Sequence, residues 1–166
     1  MNTPIVNFMR QQGFPDEPAD ACNMRFEGLY FQPQIVFPLV LVAIALQSVW
    51  LFLTLSAVLW WNTLLPERNP FEAAYNRWVA PRRGTGPLTP APVPRRFAQG
   101  MAATFLLGAG ATRLGGWPQL SWVFQAFLVV AFLALLLGRF CLGAYVYHVL
   151  KGRIAFANST LPWARG

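Results

Sequence analysis

The stretch GRFCLGAYVYHVLKG, residues 138–152, closes a long apolar run and gathers Arg139, Cys141, Tyr145, Tyr147, His148 and Lys151 within a few helical turns. Two readings compete for it: a reactive site, or the point where a helix leaves a membrane. Composition favours the second. Of 166 residues, 55% are apolar and only 11% are charged, against about 25% charged in soluble domains. Seven tryptophans and fourteen phenylalanines are more apolar surface than a soluble interior of this size can hide, so lipid is the natural solvent. The length allows one domain. The net charge is +7, but its bases are clustered arginines. That pattern suits cytoplasmic membrane loops, and no nucleic-acid partner is expected.

Working back from residue 138, the apolar runs fall in order. Residues 120–138, LSWVFQAFLVVAFLALLLG, are long enough to span a bilayer, which takes roughly 20 residues. Residues 98–112 form a less apolar run rich in small residues, which reaches spanning length with its flanks, 96–114. Residues 28–46 and 49–65 are separated only by Gln47 and Ser48. A single helix from Ile35 to Leu65 would be about 46 Å long, far beyond a hydrocarbon core of about 30 Å. Two helices turning at Gln47–Ser48 fit better, although that turn holds neither glycine nor proline. Pro33 and Pro38 would then sit in the early turns of the first helix, where they cost least. The small residues at 43–45 mimic a signal-peptide cleavage site, but the preceding segment has more acids than bases and the run starts too late.

The expected fold is therefore an all-α integral membrane domain. It has four transmembrane helices in two hairpins, at 28–46, 49–65, 96–114 and 119–139, preceded by an extension (1–27) and followed by a tail (153–166). Arg68, Arg77, Arg82, Arg83, Arg95 and Arg96 crowd the middle connection, and Lys151, Arg153 and Arg165 follow the last run. The positive-inside bias puts both on the cytoplasmic side of the membrane. Four spans place the N-terminus there too; three would place it outside.

Within the connection, Asn69 suits an N-cap, Pro70 the first helical position and Glu72 the third. Phe71, Tyr75, Trp78 and Val79 then share one face, which predicts an interfacial helix over 70–79 lying aromatic side down. The segment APRRGTGPLTPAPVPRR, residues 80–96, reads as an extended proline-rich cytoplasmic loop, either a linker or a docking strand for a partner. Trp78, Arg82, Arg83, Arg95, Arg96, Arg139, Tyr145 and Tyr147 are expected as interfacial anchors. Gly100, Thr104, Gly108 and Thr112 recur every four residues. They predict a face for close helix packing, within the chain or against another subunit, with the threonines bonding across it.

The order of NPFEAAYNRWVAPRRG (69–84), RRFAQGMAATF (95–105) and FCLGAYVY (140–147) resembles the bacterial membrane family called domain of unknown function 4395, over roughly residues 33–151. The resemblance implies a compact four-helix membrane domain and no established activity. It also implies a pair of cysteines two residues apart at the end of the fourth helix; here the second of those positions is Ala144. A Cys-x-x-Cys pair can exchange thiols and disulfides, but Cys141 alone cannot. Cys22 could serve only if folding brings the two together.

His148 could ligate a haem iron or a chlorophyll magnesium, or pack at the interface. Phosphate loops, metal clusters and acid–base pairs are absent from the sequence, and an ion pathway would need ionisable groups within the spans. The expectation is a non-catalytic accessory subunit of a larger membrane complex, of a photosynthetic or respiratory kind. Its extension and tail would bind other subunits, with no cofactor evident and a bound lipid or pigment left open. The alternative is a membrane-embedded thiol-redox or carrier protein.

Overall fold

The computed structural model describes residues 3–14 and 19–164, with side chains over 4–14 and 25–164. Asp16, Glu17, Arg165 and the side chain of Cys22 lie outside the described residues. Nine α-helices follow one another with no strand among the described residues: α1 (Thr3–Gln12), α2 (Ala19–Leu46), α3 (Val49–Leu64), α4 (Pro70–Ala74), α5 (Ala80–Arg83), α6 (Val93–Leu114), α7 (Pro118–Leu136), α8 (Leu142–Leu150) and α9 (Ile154–Ser159). Two of them, over Arg25–Leu46 and Pro118–Leu136, are long and apolar enough to cross a membrane.

The turn between α2 and α3 forms as expected, and a side chain replaces the missing glycine. Gln47 takes the left-handed conformation (φ 45°). Its Nε2 donates to the Ile44 carbonyl at 2.6 Å and to Gln125 Oε1 of α7 at 2.9 Å. Those bonds offset the steric cost that a residue with a Cβ meets there. Ser48 then caps α3, accepting from Leu51 N at 3.4 Å.

α2 itself begins at Ala19 rather than Gly28, because residues 19–27 contain neither proline nor glycine to stop it. Pro33 and Pro38 therefore lie mid-helix, not in its first turns, and the carbonyls of Leu29 and Gln34 lose their helical donors.

α6 is the central strut, packed against α3, α7 and α8. A Cβ on Gly100 would meet Thr63 of α3, one on Gly108 would meet Phe124 of α7 at 2.9 Å, and one on Gly143 of α8 would sit 2.6 Å from the Ala98 Cα. The small-residue face is thus used within the chain. The threonines do not bond across it. Thr104 donates to the Gly100 carbonyl and Thr112 to the Gly108 carbonyl, each one turn back on its own helix. Serines bond across to α6 instead: Ser56 Oγ donates to Ala103 O and Ser121 Oγ to Ala109 O, both at 2.8 Å.

Three further expectations are corrected. The last run is not one helix over 119–139. α7 stops at Leu136, Arg139 adopts φ 51°, and α8 starts at Leu142. Residues 70–79 are not one interfacial helix either: α4 gives way to a wide π-helical turn over Tyr75–Val79. That turn buries Tyr75 and leaves Trp78 exposed, so the aromatics do not share one face. The Asn69 cap does form, accepting from Phe71 N and Glu72 N.

The extension and the proline-rich loop, which were not expected to belong to the core, also pack into it. Ile5, Phe8 and Met9 of α1 are buried in one core cluster with Leu29, Tyr30, Tyr75, Leu88, Cys141 and Ala144. Leu88, in the loop, is held by a two-way amide clamp: its N–H donates to Asn76 Oδ1 at 2.7 Å and its carbonyl accepts from Asn76 Nδ2 at 3.1 Å. A second cluster, including Val36, Val40, Phe52, Leu106, Leu128 and Phe132, runs through the middle of the long helices.

Candidate functional site

The up-and-down order of α2, α3, α6 and α7 sends the turns 47–48 and 115–117 to one end. At the other end it gathers α1, the 65–92 connection, the α7–α8 break and α9. Most of the bases lie at this second end, and among the described residues Arg113 is the base at the first.

α1 organises the second end. Asn7 Nδ2 donates to the carbonyls of Leu161 and Ala164. Gln11, fully buried, accepts from Cys141 N at 2.9 Å through Oε1 and donates to Thr160 Oγ1 at 3.4 Å through Nε2. Its backbone carbonyl lies 3.0 Å from His148 Nε2, which fixes that nitrogen as the donor. The His148 ring is buried against Phe156 and Tyr147. It joins α8 and α9 to α1, and Nε2 is not free to ligate. Its Nδ1 has no partner and is enclosed. Among the described residues no three histidine, cysteine or acidic side chains are grouped to hold a metal ion.

The contact between the extension and the tail was not anticipated from the sequence. Two features could have suggested it: the Asn7–Gln11 pair spaced by four, and the apolar Ile5, Phe8 and Met9 beside it.

The expected anchors divide. Trp78 and Arg82 are exposed. Arg83 pairs with Glu27 at 2.7 Å with both side chains about half exposed, a geometry that contributes little to stability. Arg139 lies 5.7 Å over the Phe26 ring, Tyr147 packs on Phe97, and Tyr145 donates to Asn158 Oδ1. Arg96 reaches back instead of out: its Nε donates at 2.9 Å to the Thr63 carbonyl in the last turn of α3, an orphan acceptor of that helix end.

Arg95 is the clear correction. It is 6% exposed and faces the interior, because α6 begins at Val93 and its first turn is covered by α1, α4 and α8.

Arg95 forms one wall of a cavity of about 100 Å³ between α1, α2, α6, α7 and the start of α8. Gln12, Gln32, Arg95, Gln99 and Cys141 line its polar end; Val36, Leu59, Phe105, Leu128 and Phe132 line the rest. Gln99 Nε2 donates to Gln32 Oε1 at 2.9 Å. Behind Arg95 sits the buried Glu72, whose carboxyl is pushed above its ordinary pKa by burial and pulled back by Arg95 and the Asn69 amide.

Cys141 is also buried. Burial raises its pKa, and the N–H of Ala144, the Gln12 amide, Arg95 and the N–H of Gly143 oppose that without reversing it. The sulfur is therefore a thiol near neutral pH. Ala144 is fully buried beside it, and Cys141 is a free cysteine. The arrangement supplies a polar end with a buried cation and a long apolar wall. Among the described residues it does not supply a second sulfur for disulfide exchange.

No curated protein and no solved structure matches this chain. The family model described as Domain of unknown function (DUF4395) matches residues 27–152, from the residue before the first apolar run to just past the end of α8, and the chain belongs to that family.

Proposed function

We propose that the chain is a multi-pass protein of the bacterial cytoplasmic membrane, with α2, α3, α6 and α7 as its four spans, acting as a non-catalytic accessory subunit of a larger membrane complex. One observation carries the membrane reading. α7 has its polar residues inside and its large apolar residues outside: Ser121 and Gln125 are buried, while Trp122, Val123, Phe127, Val130 and Leu133 are exposed. Trp50 and Trp61 of α3 and Leu39, Leu41 and Val42 of α2 extend the same surface. A soluble protein rarely exposes so large a contiguous apolar patch. Lipid, or the helices of other subunits, satisfies it. The clustering of arginines at the end carrying α1 and α9 supports a cytoplasmic location for that end.

The accessory role rests on the same surface and on the chemistry around Cys141. The thiol is buried and neutral, and alanine stands where the family's second cysteine would be. Since α1 and α9 fold onto their own domain, the surface for other subunits is the apolar face of α2, α3 and α7 rather than the termini. Extraction from the native membrane in mild detergent, followed by identification of what co-migrates, tests this. A defined set of membrane proteins in constant ratio is expected. A chain that migrates alone and monodisperse from native membranes contradicts the subunit role.

A further inference from the structure

The polar end of the cavity is built but unsatisfied. Arg95, 6% exposed, accounts for one wall, and no hydrogen bond to its guanidinium is found among the described residues. Glu72 balances its charge from behind without lining the cavity. Among the described residues Gln12 Nε2 and Gln99 Oε1 have no hydrogen-bond partner, although both side chains are more than nine-tenths buried and line the same space. The Gln12 amide lies near the Cys141 sulfur, but no bond of ordinary geometry satisfies it. Buried polar groups left in this state cost free energy unless something partners them.

The unpaired set has a definite pattern. Arg95 and Gln12 offer N–H donors, and Gln99 offers an acceptor. Beyond them the wall is apolar from Val36 and Leu59 to Phe105, Leu128 and Phe132. Along α6 the lining runs from Arg95 to Phe105, about 15 Å at helical rise. Met101, Phe105, Ala131 and Leu135 are only half-buried, which gives the cavity an outlet between α6 and α7 on the apolar face of the molecule.

We propose that this cavity is a binding site for a single-chain carboxylic amphiphile, a fatty acid, with its head at Arg95, Gln12 and Gln99 and its chain leaving between α6 and α7. A carboxyl group is the small head that matches the set. Its oxygens accept from Arg95 and Gln12, and the O–H of its acid form donates to Gln99 Oε1. An ester or a quinone carbonyl offers no donor to Gln99. At about 100 Å³ the cavity holds a small head and the first carbons of a chain, and the rest of the chain lies in the outlet between α6 and α7. The assignment is independent of whether the chain is a subunit of a complex.

The test uses the full chain in nanodiscs of phosphatidylcholine with radiolabelled dodecanoic acid. Saturable binding of one acid per chain is expected, competed by unlabelled acid and at least about tenfold less well by its methyl ester, the discrimination expected for loss of hydrogen bonds to a charged group. Arg95→Gln should weaken binding by a similar factor. Ala131→Phe, which fills the outlet from a half-buried position and leaves the polar end intact, should weaken it without touching Arg95. Should Arg95→Gln fail to fold, Ala131→Phe and the ester competition decide. Absence of saturable binding, equal competition by the ester, or unchanged binding in Ala131→Phe overturns the proposal.

Discussion

Gly143→Ala probes the closest helix contact in the fold. A Cβ at that position would lie 2.6 Å from the Ala98 Cα and 2.7 Å from the Ala98 Cβ, where ordinary carbon contacts are about 3.5–4.0 Å. The obstacle is backbone and cannot rotate away, so α8 and α6 must part by about 1 Å. Overpacking of this kind costs typically about 1–3 kcal/mol, and a backbone obstacle places it toward the upper end. Alanine returns at most about 0.5–1 kcal/mol through better helix propensity, since Gly143 lies in the first turn of α8, which leaves a net loss of at least about 1–2 kcal/mol. For a chain of this length that lowers Tm by roughly 2–8 °C. Gly86→Ala is the control, since a Cβ there meets nothing within 4 Å. Thermal unfolding in a single detergent, followed by far-UV circular dichroism, compares the two. A Gly143→Ala protein as stable as wild type and Gly86→Ala would refute the close approach of α6 and α8, and with it the position of Cys141 beside Arg95.

Met9→Ala should cost about 2–5 kcal/mol, because Met9 is fully buried on the inner face of α1; deletion of residues 2–12 should yield aggregated or protease-sensitive protein, and a stable truncated chain would show that α1 is not part of the core. Gly108→Leu should lower Tm while leaving the migration of the isolated chain unchanged, since its side chain meets Phe124 of α7; dissociation of an otherwise stable chain from a partner would instead put that face between subunits. Glu72 predicts a pH effect. Burial raises its pKa above the ordinary 4.5, so the folded chain holds a proton that the unfolded chain has released. That contribution is full below about 4.5 and is lost as pH rises through the window up to the folded value. Subtracting the Glu72→Gln stability profile from wild type should expose this decline, and a flat difference would place Glu72 in a solvated setting.

Much of the fold was legible because helix signals are local. The apolar runs marked the long helices, and Asn69–Pro70 marked the start of α4. What could not be read depended on contacts distant in sequence. The turn at Gln47 was placed correctly, but its cause, a bond to Gln125 at 2.9 Å, lies 78 residues away. The Arg139 break was invisible because an arginine in left-handed conformation carries no local signal. Arg95 and Arg96 read alike as headgroup anchors. Neighbours on a helix point about 100° apart, so one faces the cavity and the other reaches the end of α3. The site was missed for the same reason: Gln12, Gln32 and Gln99 are unremarkable singly, and only the packing of α1, α2 and α6 collects them beside Cys141.

The central claim is that the apolar face of α2, α3 and α7 is immersed in a bilayer, with the arginine-rich end in the cytoplasm. Cysteine accessibility in intact cells tests it most directly. Single cysteines would be placed at Gln119, in the exposed first turn of α7, and at Gly86, in the connection at the opposite end, in a chain whose two native cysteines are replaced by alanine. A membrane-impermeant maleimide applied from outside should label Gln119→Cys and reach Gly86→Cys only after the membrane is permeabilised. Labelling of Gly86→Cys in intact cells with Gln119→Cys protected, or recovery of the protein in the soluble fraction, would contradict the account.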